Sequence, residues 1–342
     1  MKLSYNEMSA YLMYRMIQPE KARTIEDHFP NRVPIADSRE LENYLKQRVA
    51  NAARKGKVAL ALSGGIDSAI LARFLPKGSV AYTFRCVVPG VQVTDESQAA
   101  AQYAEACGLE HRIVEIYWED FEEYAERLMI QKGAPIHSIE VQIYKACLRA
   151  RADGMDTLVF GEAADAVYGG QSMILSKDWR MPDFIERFAY VMPHRALKDP
   201  ELPIGAMKRW EKDGYIDPFL FMSHVYIQES VGSYLNAAKT AGMDALLPYA
   251  ETYLGTPIDY SRIRAGENKY LVREVFQRLY EGFAVPPKLP MPRPMNEWMK
   301  DWKGPVRGEF WPHCTDEMTG DQKWLVWALE KFLDIIDNPE KD

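Results

Sequence analysis

The chain has 342 residues, with 47% hydrophobic and 27% charged side chains and a formal net charge of −7. This length suggests about two domains, and the composition is typical of a globular protein with a large core. Because an acidic surface repels phosphate backbones, we expect no nucleic-acid partner. No apolar run approaches the roughly 20 residues that a membrane span needs, and residues 1–7 contain no apolar signal-peptide core.

The cysteines and histidines show no metal-ligand pattern. The cysteines form no CxxC pair, which argues against a zinc site and a disulfide framework and fits a reducing compartment. The histidines show no ligand spacing and are interpreted as structural, although the position of His137 leaves open a place facing a site. We therefore expect a cytoplasmic protein without membrane contact.

The predicted elements alternate after a polar start. Residues 1–38 are polar and interrupted by prolines, and a helix is predicted from Asp37 to Ala53. Strands are then predicted at 57–61, 80–84, 112–116 and 157–160, and helices at 69–75, 96–107, 119–132 and 138–153. The alternation predicts an α/β fold with a doubly wound parallel sheet, in which ligands bind beyond the carboxyl ends of the strands.

The remainder of the chain is predicted to be mostly helical, with proline breaks. Residues 267–281 carry an apolar stripe typical of a helix. The proline-rich segment 285–294 can be neither helix nor central strand. We interpret it as an ordered loop over a site, with a PxxP ligand for another protein as the alternative. The C-terminal tryptophans are expected to pack in a core or interface; they are Trp298, Trp302, Trp311, Trp324 and Trp327.

These changes of pattern predict the organisation of the chain. An N-terminal extension covers residues 1–38, and the main domain covers residues 39–300. Within it, the sheet part spans about 57–172 and the helical part spans 173–300. A Trp-rich helical extension is predicted at residues 301–342.

The first motif joins the first predicted strand to the following helix, and it reads Leu62-Ser63-Gly64-Gly65-Ile66-Asp67-Ser68. Glycines let the backbone approach a ligand, and the first N–H groups of a helix point at an anion. Asp67 places a carboxylate beside that anion, where a divalent cation would sit. The pattern GxxxxGK[ST] is absent from the sequence, so the loop is not the usual cradle for β- and γ-phosphates. A plain Ser-Gly turn is the alternative interpretation.

The second motif follows the strand at 157–160 and reads Gly161-Glu162-Ala163-Ala164-Asp165-Ala166-Val167-Tyr168-Gly169-Gly170. SGGIDS resembles the loop of the ATP pyrophosphatases, which cut ATP between the α- and β-phosphates. Together the two motifs resemble the synthetase domain of the asparagine synthetase family, which also includes β-lactam synthetases. Segments 247–251, 268–274 and 285–287 are similar to later family motifs, so the resemblance covers roughly residues 40 to 300. It implies an adenine nucleotide alpha hydrolase-like fold.

The sequence departs from the family pattern at several positions. Ala163 stands where the family commonly has glycine, and Arg293 is the nearest basic residue to the place of an active-site lysine. Arginine keeps its proton and prefers bidentate anion contacts, so a lysine role cannot be transferred unchanged. The glutaminase domain of the family is not expected in this sequence, because no cysteine follows Met1 and the segment before the first predicted strand, at 57–61, is too short for a glutaminase fold.

The resemblance implies an AMP-forming ligase that uses ATP and Mg²⁺. A substrate carboxylate, from aspartate or a related amino acid, attacks the α-phosphate, and ammonia or an amine then attacks the acyl-adenylate. It implies catalytic roles for Glu162 as general base, Lys269 at phosphate and Arg293. Mg²⁺ would lie between Asp67 and Asp165, each of which could instead be a cap or turn carboxylate. The nucleotide-binding residues would be Leu62, Ser63, Gly64, Gly65, Asp67, Ser68, Thr83, Phe84 and Gly161.

Two other functions stay open at this stage. One is another ATP pyrophosphatase of this loop class, either tRNA-modifying or similar to NAD synthetase. The other is a non-catalytic nucleotide-binding protein. The partners expected are a small carboxylic acid and ammonia or an amine. The sequence leaves a separate glutaminase subunit and a homo-oligomer open.

Overall fold

A computed structural model describes residues 2–21, 25–287 and 291–338. Its strands are β1 (Val33–Ile35), β2 (Val58–Ala61), β3 (Val80–Cys86), β4 (Glu110–Ile116), β5 (Thr157–Val159), β6 (Trp179–Arg180), β7 (Glu211–Lys212), β8 (Tyr215–Ile216), β9 (Asp244–Leu246) and β10 (Thr252–Leu254). The first seven α-helices are α1 (Tyr5–Tyr14), α2 (Ile25–His28), α3 (Ser38–Lys55), α4 (Ile66–Ala72), α5 (Ser97–Cys107), α6 (Trp118–Lys132) and α7 (Ile139–Ala152).

The later helices are mostly shorter. They are α8 (Ala164–Val167), α9 (Met181–Phe188), α10 (Gly205–Lys208), α11 (Pro218–Phe221), α12 (Ile227–Ala241), α13 (Tyr260–Arg264), α14 (Tyr270–Leu279), α15 (Met295–Trp298) and α16 (Gly320–Asp337). A π-helical turn, Met222–Tyr226, leads directly into α12. No helix in the described part of the chain is long and apolar enough to cross a membrane.

The centre of the molecule is a five-stranded sheet in the order β4-β3-β2-β5-β9. All four pairings are parallel. The strand order reverses direction at β2, so right-handed crossovers place α4 and α5 on one face and α6, α7 and α12 on the other. The predicted doubly wound parallel sheet is therefore confirmed.

The apolar core covers both faces of this sheet. Ala59 and Leu60 of β2 and Leu158 of β5 are fully buried, as continuous apolar strands between two helical layers should be. The same core includes Tyr11 of α1 and Trp324 of α16. The division of the chain at residues 38 and 300 remains a prediction.

The part after residue 172 is mostly helical, as expected, but it also contributes strands. β9 adds a fifth strand beside β5, and β10 pairs in parallel with β1. A three-stranded antiparallel sheet, β6-β8-β7, lies next to a separate apolar cluster that includes Phe184 and Phe221. Of the proline-rich segment 285–294, residues 288–290 lie outside the described residues, and 285–287 and 291–294 form neither helix nor strand.

The topology brings several helix and strand ends together at one edge. The motif loops leave the carboxyl ends of the neighbouring strands β2 and β5. α7 and α12 each run back to the start of the next strand, so their N-terminal ends lie at this same edge. This is the edge at which doubly wound sheets bind ligands.

Candidate active site

The loop at residues 63–68 is held by its own hydroxyl groups. The Ser63 N–H donates to Ser68 Oγ at 3.0 Å, and the two hydroxyl oxygens lie 2.9 Å apart. The Gly65 N–H donates to Ser63 Oγ at 3.2 Å. Gly65 is the N-cap of α4, and no side chain of the described residues caps this helix. The first amide groups of a helix without a side-chain cap can bind an anion, and anion binding at this loop stays a prediction.

Glu96 lies against this loop and was not among the residues predicted for the site. Its carboxylate accepts a hydrogen bond from the Gly64 N–H. Burial raises the pKa of Glu96 to about 7, against the effect of that hydrogen bond, and the neighbouring charge of Asp95 adds to the rise. Glu96 therefore changes its charge near neutral pH beside the predicted phosphate site.

The second motif packs directly on the first. A Cβ added to Gly161 would lie 2.8 Å from the amide nitrogen of Ser68 and 3.0 Å from the carbonyl carbon of Asp67. Only glycine permits this approach of two backbones. Two residues later, Ala163 adopts a left-handed conformation with φ of +74°, which is costly for a residue with a Cβ.

Lys269 joins the carboxylates of both motifs. Its Nζ lies 2.7 Å from Asp67 Oδ2 and 2.8 Å from Asp165 Oδ1, and the residue is only 6% exposed. Burial lowers the pKa of Lys269, but attraction to Asp165 and Asp67 outweighs it and raises the pKa above its ordinary value. Lys269 precedes α14 in a left-handed conformation rather than lying in the first turn of the predicted helix. The side chain is thus directed to the two motif loops.

Glu162 lies on the other side of the second loop, against α12. Its carboxylate accepts hydrogen bonds from the Ala163 N–H and from the hydroxyl groups of Ser230 and Tyr234. Burial raises the pKa of Glu162, and these three donors oppose that rise. A carboxylate with a raised pKa that is held by three donors is suited to proton transfer.

Arg293 lies on the same side as Glu162. Its Nε lies 2.8 Å from Asp321 Oδ1, and its Nη1 donates to the Met291 carbonyl at 3.2 Å. Its charge acts on the Tyr234 phenol, the same group that binds Glu162. Among the described contacts, Arg293 is not part of the Lys269 cluster.

Of the two residues predicted to line the adenine, Thr83 makes structural hydrogen bonds and Phe84 packs against the core. The Thr83 hydroxyl donates to the Leu62 carbonyl at 2.6 Å and lies 2.7 Å from His111 Nε2. Thr83 and Leu62 are buried, and Phe84 is half-buried against the core. Nothing tests adenine contact at Thr83 or Phe84, so that role stays a prediction.

The donors on α12 and the carboxylate of Glu96 are the site residues that sequence reasoning missed. Ser230 and Tyr234 lie in an ordinary amphipathic helix, and only the packing of α12 on the second loop gives them a partner. One signal in the sequence could have indicated Glu96. It stands at the start of the helix that follows the second predicted strand, and ligands bind at the carboxyl ends of such strands.

The donor set allows a magnesium ion but does not form a complete cage. No group of three or more His, Cys, Asp or Glu side chains suited to a metal occurs in the described residues. Mg²⁺ commonly binds one or two protein carboxylates together with substrate phosphates. Asp67 and Asp165 could provide the carboxylates. In this structure the Lys269 ammonium lies between these carboxylates. Asp67 and Asp165 therefore fit a Mg²⁺ ion that a nucleotide would bring to the site.

A parallel sheet that presents a Ser-Gly-Gly loop and a carboxylate pair at its carboxyl edge defines a nucleotide-binding α/β protein. The family model described as asparagine synthase matches residues 40–309, and the chain belongs to that family. Membership supports ATP-using ligase chemistry. No curated protein matches the chain significantly.

Three solved structures show limited similarity. The NH3-dependent NAD synthetase from Campylobacter jejuni is 16% identical, with a TM-score of 0.27, over 40% of this chain and 61% of that protein. The U34-tRNA thiolase NcsA from Methanococcus maripaludis is 18% identical, with a TM-score of 0.28, over 73% of this chain and 82% of the thiolase. The NMN synthetase from Francisella tularensis is 17% identical, with a TM-score of 0.27, over 74% of this chain and 97% of the synthetase.

Proposed function

We propose that this protein is an AMP-forming ligase that uses ATP to activate a carboxylic acid and then joins it to ammonia or an amine. The acid is aspartate or a related amino acid. The observation that carries the proposal is the meeting of both motif loops, with Gly161 against Ser68 and one ammonium shared by Asp67 and Asp165. Family membership supports the same chemistry.

The first step is assigned to the loop at residues 63–68. Its uncapped amides and the hydroxyl groups of Ser63 and Ser68 would hold phosphate oxygens. The substrate carboxylate attacks the α-phosphorus, the bond to the β-phosphate oxygen breaks, and pyrophosphate leaves. Lys269 would stabilise the negative charge on that leaving group. Mg²⁺, when bound at Asp67 and Asp165, would offset negative charge on the pyrophosphate.

The second step is assigned to the other side of the second loop. The amine attacks the acyl carbon, and AMP leaves. Glu162, held by Ser230 and Tyr234, accepts the proton that the attacking nitrogen loses. The two halves of the reaction thus use carboxylates with different surroundings. The carboxylates of Asp67 and Asp165 contact the Lys269 ammonium, whereas burial raises the pKa of Glu162.

Exchange of labelled pyrophosphate into ATP tests the first step separately from the second. Exchange should require a particular acid from an amino-acid panel. Asp67→Asn and Asp165→Asn should each abolish it, because each removes a charge beside the departing phosphates. The matched control is Asp213→Asn, an exposed carboxylate in the turn between β7 and β8 that should leave exchange unchanged.

Glu162→Gln tests the assignment of the base. It keeps the shape of the side chain but cannot accept a proton, so amide formation should fall by about 10²–10⁴ while exchange changes much less. Equal losses in both steps would contradict the assignment. Exchange that needs tRNA instead of a small acid would favour another pyrophosphatase of this loop class. ATP binding without exchange would favour a non-catalytic nucleotide-binding protein.

A further inference from the structure

The N-terminal helix α1 brings an arginine into the interior beside the proposed base. Residues Met8–Tyr14 are all buried, and the Tyr11 hydroxyl donates to the Ile136 carbonyl at 3.0 Å. Arg15 follows as the C-cap, with a left-handed φ of 60° that is unfavourable for a non-glycine residue. This segment lies outside residues 40–309, which match the family model.

Arg15 makes contacts with three different elements. Its Nη2 lies 2.8 Å from Glu229 Oε2 on α12 and donates to the Tyr190 hydroxyl at 2.6 Å. Its Nη1 lies 2.6 Å from Nε2 of His137, and its guanidinium lies 4.0 Å from the centre of the Tyr190 ring. The arginine side chain is only 7% exposed and that of Glu229 is 1% exposed. One guanidinium therefore ties α1, the start of α7 and α12 together.

The charges in this cluster are matched. Burial alone would raise the pKa of Glu229, but the Arg15 charge lowers it to about 2, so the carboxylate is ionised. Burial and the Arg15 charge lower the pKa of His137 to about 3, so the ring is neutral and its Nε2 can accept from Arg15. Loss of one partner from a buried ion pair of this kind strongly destabilises the folded protein, because the other charge stays buried without a partner.

The same helix that carries Glu229 also carries the donors to Glu162. Ser230 is the next residue along α12, and Tyr234 lies about one turn further. The Ser233 hydroxyl donates to Glu229 Oε1 at 3.1 Å, which fixes this face of the helix. A shift of α12 at Glu229 would therefore move Ser230 and Tyr234 relative to the Glu162 carboxylate.

We propose that Arg15 is a positioning residue of the ligase site: through Glu229 it fixes the first turns of α12, so that Ser230 and Tyr234 meet Glu162. The contribution of Arg15 to catalysis rests on the proposed function. The effect of Arg15 on the pKa of Glu162 is independent of that function and can be measured without substrate. The groups that act electrostatically on Glu162 are Asp165 from the second loop and Tyr226 and Tyr234 from the α12 side.

The test is a titration of Glu162 in the intact chain. Protein labelled with ¹³C at the glutamate side-chain carboxyl carbon is followed by NMR across pH, and Glu162→Gln identifies the Glu162 signal. Arg15→Met should raise the pKa of Glu162 by about one unit, because two donors that favour the charged form lose their alignment. Arg15→Lys should give a smaller rise, since an ammonium can pair with Glu229 but cannot also hold His137 and Tyr190 in the same geometry.

Arg32→Met is the matched control. Arg32 is another buried arginine of the N-terminal segment, and it binds Glu26 and the carbonyls of Ala250 and Thr252 rather than α12. This variant should leave the Glu162 titration unchanged. An unchanged pKa in Arg15→Met, or an equal shift in Arg32→Met, would overturn the proposal. If Arg15→Met fails to fold, the titration of Glu162 in Arg15→Lys takes its place, and an unchanged pKa there would overturn the proposal.

Kinetics separate this proposal from the proposed function. If the wild-type chain is a ligase, Arg15→Lys should slow amide formation at least tenfold more than it slows pyrophosphate exchange. If the wild-type chain shows neither reaction, the proposed function fails while the titration still tests the role of Arg15. A variant that loses thermal stability but keeps the wild-type titration and the wild-type ratio of the two rates would show a merely structural arginine.

Discussion

The shared ammonium of Lys269 gives a prediction about stability that can be tested without a substrate. Lys269→Met keeps a similar side-chain volume but leaves Asp67 and Asp165 facing each other without their cation. Breaking a buried ion pair costs about 3–5 kcal/mol. The carboxylate side chains are 19% and 28% exposed, so water softens the loss, and we expect the lower end, about 3 kcal/mol.

Urea denaturation at neutral pH measures this loss, with and without millimolar Mg²⁺. Without the metal, the variant should unfold at a lower urea concentration than the wild-type chain. With the metal, part of the stability should return, because an ion that binds only the folded state stabilises it. The matched control is Lys145→Met, which removes the cation from another partly buried pair, with Asp120 at 2.6 Å, that includes neither Asp67 nor Asp165. It should not respond to Mg²⁺. An unchanged free energy of unfolding in Lys269→Met, or an equal metal response in the control, would contradict the stabilising role of the Lys269 ammonium.

Three further predictions concern other parts of the site and the nitrogen donor. Ionisation of Glu96 should weaken ATP binding as pH rises through about 7, because the charged carboxylate competes with phosphate for the loop amide and repels it. Calorimetry should find that this pH dependence of ATP affinity is absent in Glu96→Gln. Identical pH profiles of ATP affinity in the variant and the wild-type chain would contradict the prediction. Ala163→Gly should raise the free energy of unfolding by up to about 1 kcal/mol in urea titrations, since relief of left-handed strain exceeds the entropy cost of glycine; a loss of stability would show that the strain is not relieved. Glutamine should be inert as nitrogen donor, because burial raises the pKa of the Cys86 and Cys147 thiols to about 12 and that of Cys314 to about 11, and the fourth cysteine, Cys107, is buried. Ammonia should support the reaction increasingly towards pH of about 9, and glutamate release from glutamine by the purified chain would contradict this.

The sequence was sufficient for the features that depend on local patterns. Alternating apolar runs and helical stripes predicted the parallel sheet, and glycine after a buried strand predicted both motif loops. The reason is that a strand, a tight turn and a helix start each depend on neighbouring residues. Gly161 shows the strength of this signal, because its lack of a Cβ is needed for the contact with Ser68.

The sequence was insufficient where distant elements decide the outcome. β9 is three residues long within a helical region, and its pairing with β5 defines it more than its own residues do. Glu162 was predicted as a base, but its partners Ser230 and Tyr234 come from a helix whose packing has no local signal. Similarly, nothing near Lys269 in the sequence indicates that its ammonium lies between Asp67 and Asp165, where a metal was predicted.

Transfer of an oxygen isotope shows whether this chain joins a carboxylate to the α-phosphate of ATP. The acid that supports pyrophosphate exchange is labelled with ¹⁸O in its carboxyl group and incubated with the protein, ATP, Mg²⁺ and ammonia. We expect one ¹⁸O atom in the phosphate of AMP and none in pyrophosphate, because the acyl-adenylate passes a carboxyl oxygen to AMP when the amide forms. Unlabelled AMP, or ADP and phosphate in place of AMP and pyrophosphate, would contradict it.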